Sequence, residues 1–160
     1  MRIEIHAVGR LKSGPERELA DRYLDRLAKA GPAIGLQFGE LSEAAESRAR
    51  SANERRSEEA RDLEARLPAG SALVLLDERG KDFTSEQFAE KIGALRDSGR
   101  KQLVLAIGGP DGHDASLRAK AELVMSLGQM TWPHQIARIL LAEQLYRATT
   151  ILSGHPYHRA

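Results

Sequence analysis

The sequence contains no cysteine among its 160 residues. This absence excludes a disulfide framework, cysteine-ligated zinc, iron–sulfur clusters and thiolate nucleophiles, and it is compatible with a reducing compartment. No apolar run approaches the roughly 18 residues that a membrane helix needs. Glu4 also lies where a signal peptide would be apolar. We therefore expect a cytoplasmic protein that has no membrane partner.

An excess of charge of one sign is also missing, because 24 Lys and Arg residues stand against 23 Asp and Glu residues. This balance excludes a broad basic coat of the kind that binds nucleic acid without specificity. Hydrophobic residues make up 41% of the chain, which is too high a share for intrinsic disorder. The length fits a single domain spanning residues 1–160.

Hydrophobic periodicity predicts alternating strands and helices in the first half of the chain. Apolar residues alternate over residues 3–8, as in a strand, and recur at helical spacing over residues 15–31. Alternation over residues 34–38 predicts a second, weaker strand. Residues 43–66 carry charges of both signs, so we interpret them as a solvated helix, preceded by a loop before residue 53, rather than as a charged binding arm.

The second half of the chain contains two short, unbroken apolar runs, at residues 73–76 and 103–107, that are typical of strands buried on both faces. Thr84 and Gln87 form a capping box that predicts the start of a helix between them. Three further elements are predicted, namely a short helix after Asp114, a strand at 123–125 and a long helix at 135–152. A strand, a helix and a strand within about 35 residues form a βαβ unit, so we expect an α/β fold with a parallel sheet.

Ligands of open α/β sheets gather at the carboxyl ends of the strands, which directs attention to the segments after Leu76, Ile107 and Met125. Residues 108–112 contain three glycines but match neither the dinucleotide fingerprint nor a P-loop. A plain tight turn and a ligand loop are both open interpretations. Residues 126–134 hold the only tryptophan, and a capped loop with Trp132 as a core plug competes there with a binding segment.

The C-terminal end combines groups that can stack on bases and bind oxygen atoms: His155, Tyr157, His158 and Arg159. A frayed tail is the alternative interpretation. The His-x-x-His spacing lacks a third ligand, so we expect no metal. Glu143 and Arg147, four residues apart, would by themselves be a surface ion pair. The apolar residues of this last helix cover two sides, which is typical of a helix that also packs on a second subunit.

Several of these segments together resemble one family. They are Ala7-Val8-Gly9, Ile107 to Gly112, Leu127 to Trp132, Pro133-His134-Gln135-x-x-Arg138, Glu143-Gln144-x-Tyr146-Arg147-Ala148 and His155-Pro156-Tyr157-His158. In this combination, and over the whole length, the chain resembles the ribosomal large-subunit methyltransferase H family. The resemblance implies a SPOUT-class enzyme with an open parallel sheet, helices on both faces and a C-terminal trefoil knot. It further implies a homodimer that uses S-adenosylmethionine to methylate N3 of a pseudouridine in helix 69 of bacterial 23S rRNA, within the assembled ribosome.

The resemblance also implies which residues form the site. The cofactor contacts carry over to Leu76, Gly108, Leu127, Gly128, Gln129, Met130, Thr131 and Trp132. The catalytic set carries over to Tyr157, His158, Arg159 and Arg147, and the RNA-binding set to His134, Arg138 and His155. Our hypothesis is that Arg159 or Arg147 stabilises charge developing on the base, and that His158 or Tyr157 orients the base or removes its proton.

Three alternatives remain open. The first is a SPOUT methyltransferase that acts on another RNA, such as a tRNA. The second is an RNA-binding dimer without catalysis, and the third is a nucleotide-binding α/β protein with a plain glycine turn. Residues 134–160 contain three arginines against one glutamate, and three of the five histidines. We therefore expect a modest positive surface there and recognition of a structured partner by its shape, with little affinity for unrelated RNA.

Overall fold

The computed structural model describes residues 1–158 of the chain. Its elements in chain order are β1 (Arg2–Val8), α1 (Pro15–Ala30), a short 3-10 helix (Gly31–Ile34), β2 (Gln37–Ala44), α2 (Ala52–Arg66), β3 (Ala72–Lys81), α3 (Ser85–Asp97), β4 (Gln102–Ile107), α4 (Ala115–Lys120), β5 (Leu123–Met125) and α5 (His134–Leu152). No helix within residues 1–158 is long and apolar enough to cross a membrane.

The five strands form one parallel sheet in the order β2-β1-β4-β3-β5. β1 and β4 lie next to each other in an unbroken register from Arg2 opposite Gln102 to Ala7 opposite Ile107. Every strand points the same way, so all the carboxyl ends meet at one edge of the sheet. The predicted α/β class with an open parallel sheet is therefore confirmed, whereas the trefoil knot stays a prediction.

Helices cover both faces of the sheet because successive residues of each central strand point to opposite sides. In β3, Ala72 and Val74 enter the larger core, which also contains side chains of α1, α3 and α5. Leu73 and Leu75 enter the smaller core together with Leu63 of α2 and side chains of α4. This double burial explains why the β3 and β4 segments are unbroken apolar runs.

The prediction for the second strand is wrong in position. The chain forms a 3-10 helix over Gly31–Ile34 and then turns at Gly35, whose φ is +76°, so β2 begins only at Gln37 and continues to Ala44. Alternating apolar residues over such a short segment do not distinguish a strand from a tight turn.

The charged segment at 43–66 is a helix only from Ala52 onward. Its first two residues belong to β2, and residues 45–51 have no regular structure. The helix begins where Ser51 and Glu54 form a capping box that the sequence interpretation missed. The predicted capping box of α3, at Thr84 and Gln87, is confirmed, as is the short helix after Asp114.

Candidate cofactor cavity and catalytic tail

A cavity of about 230 Å³ opens at the carboxyl ends of β3 and β4 and beside the segment that follows β5. The structure places seven of the eight predicted cofactor residues in its wall, namely Leu76, Gly108, Leu127, Gly128, Met130, Thr131 and Trp132. Gln129 is exposed and does not line the cavity. The three strand ends selected from the sequence therefore form one cavity.

The glycine-rich loop at 108–112 is fixed against α2. Asp111 accepts hydrogen bonds from Arg55 Nε at 2.6 Å and from Arg55 Nη2 at 3.0 Å, a two-point contact that holds the pKa of Asp111 below its usual value. A Cβ on Gly109 would lie 2.8 Å from Oε2 of Glu59, so no larger residue fits without displacing that carboxylate. This loop is thus held more firmly than a plain surface turn.

Behind the loop, His113 connects the ends of β3 and β4. Its Nε2 lies 3.0 Å from the Leu76 carbonyl oxygen, and its ring would touch a Cβ placed on Gly108. Burial lowers the pKa of His113 and favours the neutral imidazole. The sequence interpretation did not select His113, although its place directly after the glycine-rich loop was a usable signal.

Asp77 is a buried carboxylate in the wall of the same cavity. Burial opposes its ionisation, but hydrogen bonds from the amide and side chain of Arg79, together with the charge of Arg118, lower the pKa of Asp77 overall. Its Oδ1 accepts from the Arg79 amide at 2.9 Å, and its Oδ2 lies 3.6 Å from Arg118 Nη1. An ionised carboxylate therefore fixes the charged second half of β3, beside the cavity.

The segment after β5 presents apolar surface to the cavity. Gly128, with a φ of +105°, turns the chain, and its amide donates to Ser126 Oγ at 3.1 Å. Trp132 Nε1 donates to the Leu127 carbonyl at 3.1 Å. Trp132 is 40% exposed and Met130 is 74% exposed, so the interpretation of Trp132 as a core plug is wrong. Exposed apolar side chains around a cavity are typical of a wall that covers the flat face of a ligand.

The C-terminal residues turn back and pack against the second half of α5, from Glu143 onward. Glu143 Oε1 accepts from Arg147 Nη2 at 2.6 Å and from the Tyr157 hydroxyl at 3.1 Å. The Arg147 guanidinium lies 4.9 Å from the centre of the Tyr157 ring, and the rings of Tyr146 and Tyr157 are 4.8 Å apart. Glu143 and Arg147 are therefore part of a half-buried cluster rather than an isolated surface pair, and the tail is not frayed at residues 157 and 158.

Burial and the neighbouring Glu143 carboxylate raise the pKa of Tyr157 to about 12. The phenol therefore stays protonated and donates its hydrogen bond to Glu143 at neutral pH. The sequence predicted a pair between Glu143 and Arg147, but nothing in their spacing indicated that Tyr157 also contacts both residues. The tail returns along α5 because Gly154, with a φ of +69°, reverses the chain after the helix ends.

The remaining predicted residues lie in three different environments. His134 lines the cavity at the start of α5, and His155 is exposed, with its Nδ1 accepting from the Tyr157 amide at 3.1 Å. Arg138 is buried and donates to Glu43 and to backbone carbonyls of the β1 end, so in this arrangement its guanidinium is not available to RNA. Arg159 lies outside the described residues.

Within a single chain, the predicted catalytic residues Arg147, Tyr157 and His158 do not line the cavity that contains the predicted cofactor residues. His134 at the cavity and Arg147 beside the tail lie about 20 Å apart along the axis of α5, at 1.5 Å per residue. Three half-buried apolar side chains near the cavity end of α5, Ile136, Ile139 and Leu140, enter neither of the two cores that the structure describes. No group of three His, Asp or Glu side chains within residues 1–158 is arranged to hold a metal.

Comparison with known proteins identifies the family. A family model described as "Predicted SPOUT methyltransferase" matches residues 1–158. The protein named Ribosomal RNA large subunit methyltransferase H of Rhizobium meliloti (strain 1021) is 64% identical over 160 residues. Proteins of the same name from Mesorhizobium japonicum and Brucella anthropi are 62% and 61% identical, and in all three cases the match covers 100% of both chains. The chain therefore belongs to the SPOUT methyltransferases and, among them, to the ribosomal RNA large subunit methyltransferase H family.

Proposed function

We propose that this protein transfers a methyl group from S-adenosylmethionine to N3 of a pseudouridine in helix 69 of bacterial 23S rRNA, and that it acts on the assembled ribosome in the cytoplasm. The observation that carries this proposal is the cavity formed by the three strand-end segments, because seven residues assigned to the cofactor by family resemblance line it. The relatives named as ribosomal RNA large subunit methyltransferases, at 61–64% identity over the full length, support the choice of substrate.

The residues present fit S-adenosylmethionine. Leu76, Leu127 and Trp132 offer apolar surface that can enclose the adenine. Gly108 lines the cavity with its backbone, and a Cβ on Gly128 would meet nothing within 4 Å, so a ligand can approach the main chain at Gly128. When bound, the cofactor supplies a methyl group already activated by its positive sulfur.

The chain's own residues then have to position the base and stabilise charge. The imide N3–H of the base must lose its proton, and the neighbouring carbonyl oxygens gain negative charge as it leaves. Arg147 is fixed by Glu143 at 2.6 Å and keeps its charge, so it can stabilise that oxygen charge. His158 orients the base or accepts its proton, Tyr157, whose phenol stays protonated, can only orient the base, and Arg159 is a further candidate cation. Holding the target nitrogen in line with the methyl group supplies the proximity that the reaction requires.

A second protomer would bring a tail to each cavity. Arg147, Tyr157 and His158 do not line the cavity of their own chain, which supports a homodimer in which the tail that completes each site comes from the partner. The half-buried apolar residues at 136, 139 and 140 supply a surface on which such a partner can pack. The active site would then be shared, with a cavity from one protomer and a tail from the other.

The decisive experiment compares methylation of naked 23S rRNA, isolated large subunits and whole ribosomes, with the modified nucleotide located by mass spectrometry. We expect methylation at pseudouridine N3 in helix 69, strongest on whole ribosomes. Modification of a tRNA would instead favour a related methyltransferase activity. Calorimetric titration that shows no binding of S-adenosylmethionine would leave only a non-catalytic RNA-binding role.

A mixed dimer tests the shared site. One protomer carries Trp132→Asp, which spoils the cavity, and the other carries His158→Ala, which spoils the tail. Each homodimer should be inactive, whereas the mixed dimer should regain activity because one intact cavity meets one intact tail. If the mixed dimer stays inactive while wild-type mixtures are active, the tail does not act on the partner's cavity.

A further inference from the structure

His158 lies between an anion and a cation contributed by two different helices. Its Nε2 is 2.6 Å from Oε1 of Glu86 on α3, and its Nδ1 is 3.3 Å from Nη1 of Arg147 on α5. Each ring nitrogen thus has one polar partner, and one partner is a hydrogen-bond acceptor whereas the other is a donor. The residue from α3 belongs to none of the sets that sequence resemblance assigns.

The two partners select one tautomer of the imidazole. An arginine side chain only donates hydrogen bonds, so Nδ1 of His158 must accept from Arg147. An ionised glutamate only accepts, so Nε2 must carry the proton and donate it to Glu86. A neutral imidazole with its proton on Nε2 satisfies both contacts at once. The other tautomer, with its proton on Nδ1, would set an N–H against the Arg147 guanidinium.

Glu86 is held in the ionised form at the start of its helix. Hydrogen bonds from its own amide, from the Thr84 hydroxyl and from His158 lower the pKa of Glu86. The capping box, in which Thr84 Oγ1 accepts from the Gln87 amide at 3.2 Å, fixes the first turn of α3. The carboxylate therefore projects from a rigid part of the fold rather than from a loop.

We propose that Glu86 is a positioning residue for the methyl-transfer reaction, acting through His158. It orients the imidazole and keeps its proton on Nε2, while Arg147 binds the other nitrogen. The proposal rests on the assignment of His158 to the active site under the proposed function. In the homodimer, it places the start of α3 from one protomer at the edge of the partner's cavity, together with the tail that Glu86 anchors.

The test uses three variants of the full-length protein: Glu86→Ala, Glu86→Gln and the control Glu90→Gln, one turn further along α3 and exposed. Nitrogen NMR of histidine-labelled protein, with His158 assigned by His158→Gln, reports the tautomer directly. In wild type we expect the Nε2–H form. Glu86→Ala should give a tautomer mixture and lower kcat about tenfold without changing the dissociation constant of S-adenosylmethionine, because misplacement of a catalytic group costs rate rather than cofactor affinity. The amide oxygen of Glu86→Gln still accepts from Nε2, so this variant should keep the tautomer and most of the rate.

Two results would overturn the proposal. One is a Glu86→Ala protein that keeps both the Nε2–H tautomer and the wild-type kcat. The other is a loss of the tautomer with no change in kcat, since the orientation of the imidazole would then not matter to the reaction. Failure of the proposed function itself looks different, because the unmodified protein would then not methylate ribosomes at all.

Discussion

Arg138, near the start of α5, forms an ion pair with Glu43 near the end of β2, with 2.5 Å between Nη1 and Oε1. The Arg138 side chain is only 2% exposed, and its Nη2 also donates to the Val8 carbonyl at 3.1 Å. Glu43 accepts in addition from Arg17 Nη2 at 2.9 Å. A single guanidinium therefore joins the cavity end of α5 to the carboxyl ends of the two neighbouring strands β1 and β2.

Replacing Arg138 with methionine should destabilise the fold. The change leaves the Glu43 carboxylate and the Val8 carbonyl without their main donor, and loss of one partner from a buried pair costs about 3–5 kcal/mol. Urea denaturation would measure the difference in the free energy of unfolding. The exposed Arg22 of α1 provides a control, since Arg22→Ala should change stability by less than about 0.5 kcal/mol. If Arg138→Met lowers the free energy of unfolding by less than about 1 kcal/mol, Arg138 is not important for the stability of the fold, and the RNA contact implied by resemblance is favoured.

Local patterns predicted most of the fold and the wall of the cavity. The β3 and β4 runs are apolar because both faces of these strands are buried, and the strand-end rule for α/β sheets then located Leu76 and Gly108. The pairing of Arg138 with Glu43 could not be predicted in this way, because it depends on contacts between residues far apart in the chain. The fold-back of the tail onto Glu143 was equally hidden, since it depends on the turn at Gly154.

Gly80 is a position where a side chain has no space. A Cβ there would lie 2.4 Å from the carbonyl carbon of Met125, and main-chain atoms cannot move aside as a flexible side chain can. Gly80→Ala should therefore push β5 away from β3 and lower the free energy of unfolding by about 1–3 kcal/mol. It should also weaken the binding of S-adenosylmethionine. Gly70→Ala is a useful comparison, because its Cβ would meet nothing within 4 Å and only its φ of +79° would cause strain. If the two variants unfold at the same urea concentration, the close contact between β3 and β5 is not formed in solution.

Trp132 is the only tryptophan of the chain, and it lines the cavity while partly exposed. Binding of S-adenosylmethionine should remove water from its indole and shift its fluorescence emission to shorter wavelength. Trp132→Phe should abolish the signal but keep affinity within a few-fold by calorimetry, whereas Trp132→Ala should weaken binding by about tenfold through lost apolar contact. Calorimetric binding without any change in emission would exclude Trp132 from the binding surface.

Two buried histidines should make the fold sensitive to acid. Burial lowers the pKa of His6 and of His113 below the ordinary value of 6.5, so both are neutral in the folded protein. The unfolded chain then binds more protons than the folded one as the pH falls through 6.5, and stability decreases on acidification from that point. Urea denaturation of His6→Gln/His113→Gln between pH 7 and about 5 should show a flatter pH dependence than wild type. Equal slopes for wild type and the double variant would mean that neither buried ring titrates on unfolding.

Titration of Tyr157 at alkaline pH tests whether the C-terminal tail is held against α5. The pKa of Tyr157 is raised to about 12 by burial and by the hydrogen bond to Glu143, against an ordinary value of 10.0. A group whose pKa is raised on folding contributes stability that is fully present below its unfolded pKa and is lost as the pH rises toward its folded pKa. The contact between the tail and Glu143 should therefore weaken between pH 10 and about 12. Subtracting the tyrosinate absorbance of Tyr157→Phe from that of wild type isolates this one phenol. Glu143→Gln removes the carboxylate charge and should move the isolated titration toward 10, whereas Glu90→Gln should leave it near 12. If the isolated phenol titrates near 10 in the unaltered protein, Tyr157 is not held by Glu143, and the tail would have to reach the partner's cavity by another path.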